Sequence, residues 1–231
     1  MELSTRLNKV AAMVEPCDCI ADIGTDHAYL PIYLVKNNIC KYSIASDINR
    51  GPVNKAKLNV SSNNLQNRIE CRLGPGLNTL KNKEADIAII SGMGGNLIGD
   101  IIEDRLDLFK EFKSVILQPV QNPEVLREHI YNKGYEIIDE DLCIDENIFY
   151  EIIKIRYAEK EYQIDSIYYE ISKKLFEEKH PLIKAFILSK HNKYIKIHSK
   201  IKDNTDLAKA RRKELEMKIM KLEEMIKCIW K

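Results

Sequence analysis

The sequence predicts an α/β fold: a doubly wound, mostly parallel sheet over residues 1–158, then a purely helical segment over 159–231. Three observations carry this. Short apolar runs alternate with helical periods up to about residue 158. The first run ends at Ile23, turns at Gly24 into an amphipathic stretch, and about twenty residues later a second run ends in Asp47. Beyond residue 160, apolar positions recur at alternating spacings of four and three.

Each element follows from its local pattern. Residues 4–14 are amphipathic and read as a helix; the segment lacks an apolar core of signal length. Strand 19–24 is the apolar run closed by Gly24, and helix 28–38 opens about three residues later. Strand 43–48 contains Ile44 to Ser46 and ends in Asp47; Asn49, Gly51 and Pro52 then start helix 52–65. Strand 69–73 runs into Leu73-Gly74-Pro75-Gly76-Leu77, and strand 86–91 into Ser91-Gly92-Met93-Gly94-Gly95-Asn96. Helix 94–109, strand 114–118 ending at Leu117-Gln118-Pro119, and helix 123–133 continue the alternation. Runs 135–141 and 148–157 have no helix between them, so they form an antiparallel pair at one edge. Seven strands with a final antiparallel pair make a Rossmann-like sheet of the class I methyltransferase type.

In the tail, a helix near 164–179 carries Ile164, Ile167, Ile171 and Leu175. One seam follows through Ile183, Ile187, Lys190, Tyr194, Ile197 and Ile201, and a second through Leu215, Ile219, Leu222, Ile226 and Ile229. The polar turn Lys202 to Asp206 between them predicts an antiparallel coiled-coil hairpin within one chain, with arms of roughly 30 Å at ~1.5 Å per residue.

The net charge of +1 conceals an asymmetry. Residues 1–158 hold 18 basic and 23 acidic side chains, and residues 159–231 hold 18 and 12. A mildly acidic body thus carries a basic tail, which calls for an anionic partner. The six cysteines form no C-x-x-C pair, so buried thiols of a reducing, cytoplasmic protein are expected and a metal site is not. No run reaches membrane-spanning length.

The turn after the first strand is the main candidate site. A dinucleotide fingerprint needs further glycines where this chain has Asp26 and His27. Asp26 would repel a pyrophosphate, but a positively charged cofactor tolerates it. S-adenosylmethionine has a sulfonium, an ammonium and no phosphate; its product is S-adenosylhomocysteine. Asp22, Ile23, Gly24, Asp47, Ile48, Gly74, Gly76, Leu77, Gly92 and Met93 are the candidate cofactor-binding residues, with Asp47 on the ribose. Asp47 also suits a helix cap, Asp26 an N-cap, and Tyr29 the core. Asp26, His27, Tyr29 and Gln118 are the candidates for orienting an acceptor. The glycine loop after residue 91 lacks the Lys and Ser/Thr of a phosphate loop. It also lacks the Asn/Asp-Pro-Pro-Tyr/Phe grip used on exocyclic amines, which leaves methylation of a ring nitrogen open. Ten basic and two acidic residues surround the hairpin tip. Lys190, Lys193, Lys196, Lys200, Arg211 and Arg212 are read there as a phosphate-tracking surface.

These residues together resemble the bacterial tRNA adenosine-22 N1-methyltransferase family over nearly the whole chain. The resemblance rests on Ala21-Asp22-Ile23-Gly24-Thr25-Asp26-His27-Ala28-Tyr29-Leu30-Pro31, Gly92-Met93-Gly94-Gly95, Leu117-Gln118-Pro119, Leu126-Arg127-Glu128 and the helical tail. It implies methyl transfer from S-adenosylmethionine to N1 of a D-loop adenosine, by a catalytic domain whose tail grips the tRNA. Two positions depart from the family pattern. Pro75 replaces an Asp that contacts the cofactor adenine, and Val120 replaces an Asn after Gln-Pro; Gln118 or Asn122 must compensate if that Asn met the base. The rival readings are a methyltransferase for a non-RNA acceptor and a non-catalytic RNA-binding adapter with a degenerate pocket.

Overall fold

The alternation of apolar runs and helical periods folds as one wound sheet in the computed structural model, which describes residues 2–160 and 163–229. In chain order the elements are α1 (Thr5–Ala12), β1 (Cys17–Ile23), α2 (Tyr29–Lys36), β2 (Cys40–Asp47), α3 (Arg50–Ser62) and β3 (Ile69–Leu73). A single 3-10 turn (Gly76–Thr79) leads to β4 (Ile87–Gly94), α4 (Gly95–Asp104), α5 (Leu106–Phe109), β5 (Ser114–Gln121), α6 (Pro123–Asn132), β6 (Tyr135–Asp145) and β7 (Ile148–Tyr157). The strand order is β3-β2-β1-β4-β5-β7-β6. All pairs are parallel except those of β7, which runs antiparallel to both β5 and β6.

Strand periodicity divides the core. On β4, Ile87 and Ile89 join one apolar layer with Val10, Ile32 and Val35, while Ala88 and Ile90 join the other with Ile98, Phe109 and Leu126. The order reverses where β1 sits between β2 and β4, and that switch point opens the crevice used by ligands in such sheets.

An ion-paired cluster is sealed inside the sheet unit. Arg127 on α6 is fully buried and donates to Glu140 on β6 (2.8 Å) and Glu151 on β7 (2.7 Å). Burial alone would lower its pKa, but the two carboxylates outweigh that and raise it.

The helix expected over 94–109 is two pieces. The chain leaves helical geometry at Arg105 (φ −135°, ψ 52°), and the redirected α5 buries Leu108 and Phe109. Strands β4 and β5 also run further than expected. The β1–β4 pairing ends at Ile23 opposite Ile90, yet β4 and β5 pair on to Gly94 and Gln121 through bulges around Met93.

The chain divides into two compact units, Met1–Ile164 and Asp165–Lys231. The charge-based division at 158/159 falls just after β7. In the second unit the helix expected over 164–179 is α7 (Ile167–Glu170) and α8 (Lys173–Glu177). Ile171 is extended, and the Ser172 hydroxyl accepts from the Leu175 amide at 3.1 Å to cap α8.

Helices α9 (Ile183–His198) and α10 (Asp206–Ile229) pack as an antiparallel hairpin. Two cross-helix rungs fix its register: His191 with Glu223 at 3.3 Å and His198 with Glu216 at 3.0 Å. Ile183, Phe186, Ile187 and Tyr194 are buried on one arm, and Leu215, Leu222 and Met225 on the other. Glu170 is buried among Lys190 (3.1 Å), Lys218 (2.8 Å) and the Tyr194 hydroxyl. Burial pushes its pKa up, but these partners outweigh it and hold the carboxyl at about 2. Lys190 was expected on the phosphate-tracking surface. Its seam position instead puts it inside, only 9 % exposed and committed to Glu170. Among the described residues, no helix is long and apolar enough to cross a membrane.

Candidate active site

A cavity of about 480 Å³ opens at the carboxyl ends of β1 and β4, within the roughly 300–1,000 Å³ of small-molecule sites. Its walls come from the start of α1, the β1–α2 turn and the end of β4.

The β1–α2 turn has an unusual backbone. Gly24 lies at φ +81°, and the amides of Gly24 and Thr25 both donate to the Ser46 carbonyl at 2.8 Å, tying the turn to β2. The positive φ strains any side chain at 24, and a Cβ there would lie 2.0 Å from the Met93 methyl, which would have to move aside. Ala28 is also left-handed (φ 57°), held by its amide donating to the Thr25 hydroxyl at 3.1 Å.

Helix α2 begins at Tyr29 with Ala28 as its cap residue, so Asp26 does not cap it. Asp26 is exposed and pairs with His27 Nε2 at 3.1 Å. The His27 and Tyr29 rings stack at 5.0 Å with 8° between planes. Tyr29 is 42 % exposed and is therefore not core. Asp26, His27 and Tyr29 thus form one linked group on the cavity wall.

Asp22 lies at the cavity's base. Desolvation pushes its carboxyl up to about 6, the nearby Asp47 charge adds to this, and a Thr25 hydrogen bond opposes it. A buried carboxyl with no cationic partner among the described residues suits a ligand ammonium.

Asp47 ends β2, with Oδ1 accepting from the Asn49 amide at 2.7 Å in a local turn; the cap residue of α3 is Asn49, so Asp47 does not cap that helix. Among the described residues, its other carboxylate oxygen has no hydrogen-bond partner. Ile48 is exposed beside it. Gly74 donates its amide to the Asp47 carbonyl at 3.0 Å, and Gly76 is left-handed (φ 46°). Asp47, Ile48, Gly74 and Gly76 lie at the carboxyl ends of β2 and β3 and do not line the cavity of about 480 Å³. Leu77 belongs to the second core layer and does not line the cavity either. Ile23 is likewise core, and Met93, also outside the lining, packs over Gly24.

Gln118 differs most from expectation. It is 0 % exposed: its Oε1 accepts from Arg6 Nη1 (2.5 Å) and the Gly92 amide (3.2 Å), and its Nε2 donates to the Pro119 carbonyl (2.9 Å). The bulge at Gly92 (φ +81°) turns an amide out of the sheet ladder, and Gln118 satisfies it from within. One Nε2 proton has no hydrogen-bond partner among the described residues, but with no exposed surface the side chain is closed to an acceptor base as the cavity stands.

The sequence reading missed the wall built by α1. Glu2, Ser4 and Arg6 line the cavity, as do Thr25 and Ser91. Arg6 also stacks its guanidinium 5.5 Å from the Tyr150 ring centroid and donates its backbone amide to Asp145 at 3.0 Å. Nothing in the helical pattern marks Arg6; β6 and β7 bring its partners from far along the chain.

On the hairpin, Lys193, Lys196 and Lys200 are exposed and form no ion pair among the described residues. Arg211 is engaged by Glu214 at 2.6 Å. Arg212 holds the tip, donating to the carbonyls of Ile201 (3.3 Å) and Asp203 (2.8 Å). Among the described residues, no cluster of three or more His, Cys, Asp or Glu could hold a metal.

The architecture recurs in known proteins. A family model described as TrmK, tRNA (adenine(22)-N(1))-methyltransferase, matches residues 20–224. The Bacillus subtilis enzyme of that description is 37 % identical over 167 residues, covering 72 % of this chain and 70 % of the relative. Its crystal structure superposes with a TM-score of 0.88 at 32 % identity, covering 97 % of this chain and 99 % of that one. Mycoplasma capricolum TrmK, solved with S-adenosylhomocysteine, gives a TM-score of 0.85 at 31 % identity over 99 % and 100 % of the two chains. A Streptococcus pneumoniae relative, solved with S-adenosylmethionine, gives 0.83 at 30 % identity over 97 % and 100 %. With its seven-stranded sheet, its cavity at the switch point and these matches, the chain belongs to the tRNA (adenine(22)-N(1))-methyltransferase family.

Proposed function

We propose that this protein transfers a methyl group from S-adenosylmethionine to N1 of adenosine 22 in tRNA. Family membership names the reaction. The structural observation that carries it is the buried Asp22 carboxyl beneath a cavity whose turn is built from Asp26 and His27 rather than glycines. That chemistry accepts a cationic, phosphate-free cofactor. The cofactor supplies an electrophilic methyl when bound.

Asp22 holds its ammonium, Asp47 its ribose, and the backbones of Ile23, Gly24, Gly76, Leu77 and Gly92 approach it closely. The exposed Tyr29 ring, stiffened by stacking on His27, provides a face for a flipped-out base. N1 of adenine carries its own lone pair, so orientation matters more than a strong base. The methylated base is cationic, and the exposed Asp26 carboxylate beside it lowers the energy of the developing charge. Lys193, Lys196 and Lys200 track tRNA phosphates, and the protein acts as a monomer whose hairpin pairs within one chain.

The test combines purified protein, labelled S-adenosylmethionine and unmodified tRNA, with digestion to nucleosides and identification by mass. N1-methyladenosine, lost on Asp47→Ala, is expected. Cofactor binding without a methylated nucleoside would overturn the RNA assignment.

A further inference from the structure

The extended β4–β5 pair forms a lip beyond the end of β1, beginning at Ser91 and Gly92 in the cavity wall. Two asparagines crown it. Asn122 Nδ2 donates to Asn96 Oδ1 at 3.0 Å, joining the start of α6 to the first turn of α4 across 26 residues of chain. The geometry there is tightly held. Asn122 is left-handed (φ 51°, ψ 47°), and a Cβ on Gly95 would lie 2.3 Å from its carbonyl oxygen. Leu97 and Val120 flank the pair and are 51 % and 43 % exposed.

The hydrogen bond to Asn96 uses one amide proton of Asn122. One N–H donor and the side-chain carbonyl remain without a partner among the described residues. A donor beside an acceptor is the complement of adenine N7 and its 6-amino group. Guanine presents two acceptors along the same edge and does not match. Methylation at N1 requires that the reader leave N1 open, and the N6/N7 edge does so. Gln118 is sealed in and Val120 has no polar group, so neither supplies this contact.

We propose that Asn122 determines acceptor specificity by reading the N6/N7 edge of the target adenine, with Asn96 as its positioning residue and Leu97 and Val120 as apolar flanks. The proposal rests on adenine-N1 methylation of tRNA.

The test compares natural tRNA with tRNA carrying 7-deazaadenosine at position 22, which lacks the N7 acceptor but keeps N1. Wild type should lose roughly 10- to 100-fold in kcat/KM on the 7-deaza substrate. Asn122→Gly and Asn122→Asp both tolerate the left-handed backbone. Each should show a comparable loss on natural tRNA and little further loss on the 7-deaza substrate, with cofactor affinity unchanged. Asn96→Ala should weaken the same discrimination, and Asn96→Asp, which keeps the acceptor oxygen, should restore it. A full 7-deaza penalty in Asn122→Gly, or none in wild type that methylates natural tRNA, would overturn this inference alone. No transfer by wild type to natural tRNA would remove the functional reading beneath it.

Discussion

Replacing Asp22 by Asn should stabilise the protein while weakening cofactor binding. The folded-state carboxyl is pushed up to about 6 from an ordinary value of 3.8, chiefly by burial. A carboxyl raised on folding is favoured protonated, so its contribution is most favourable below pH 3.8, falls between pH 3.8 and 6, and is least favourable above. A gap of about two units, at ~1.4 kcal/mol per unit, sets the cost of ionising Asp22 at ~3 kcal/mol at pH 8. At pH 5 the same arithmetic leaves roughly half of that. Asn is neutral throughout and removes the cost. Urea denaturation followed by circular dichroism should therefore show Asp22→Asn more stable than wild type by up to ~3 kcal/mol at pH 8, with the gain roughly halved at pH 5. Equilibrium dialysis with S-adenosylmethionine should show about 10- to 100-fold weaker binding, the scale of one charge-assisted hydrogen bond. A stability difference independent of pH would refute the account of Asp22, as would unchanged cofactor affinity.

Three further outcomes follow from groups away from the cavity. Arg127→Met strands Glu140 and Glu151 in the core and should cost about 3–5 kcal/mol in denaturant unfolding; a cost below ~1 kcal/mol would show that the network relaxes or hydrates. Glu170, held at about 2, contributes stability that is present above the ordinary carboxyl value of 4.5 and is lost as pH falls toward 2. Helicity of the Glu170→Gln variant should accordingly be lower than wild type at pH 7 and converge with it in acid; parallel acid curves would contradict this. Changing Lys193, Lys196 and Lys200 together to Ala should reduce the slope of log affinity for tRNA against log salt by about 2–3, with cofactor binding unaltered. An unchanged slope would remove the hairpin face from the RNA interface.

The sheet and its winding were legible because strand runs and helical periods alternate without ambiguity up to β5. The edge pair was legible because no helix fits between Tyr135–Asp145 and Ile148–Tyr157. The breaks at Arg105 and Ile171 were not, because apolar spacing continues across both and only the tertiary direction of Leu108, Phe109 and Leu175 reveals the turn. At the site, Asp26, His27 and Tyr29 were legible as a local string. Arg6 was hidden because its partners lie more than a hundred residues away. Gln118 and Lys190 were misread for one shared reason. A polar residue at a strand end or in a helical seam looks available until the burial of its neighbours is known, and both are enclosed and hydrogen-bonded inside the fold.

The two histidine–glutamate rungs make the hairpin a ruler graduated in heptads. Moving from one rung to the next takes seven residues outward on α9 and seven back on α10. One residue inserted in a single arm would turn everything beyond it by ~100° and carry solvent-facing lysines into the seam. Seven residues added to both arms would instead lengthen the hairpin by ~10 Å and add a rung with the same faces kept. Tail length can therefore be changed in paired heptads, which offers a way to vary the reach of the basic face without altering a residue of the catalytic unit.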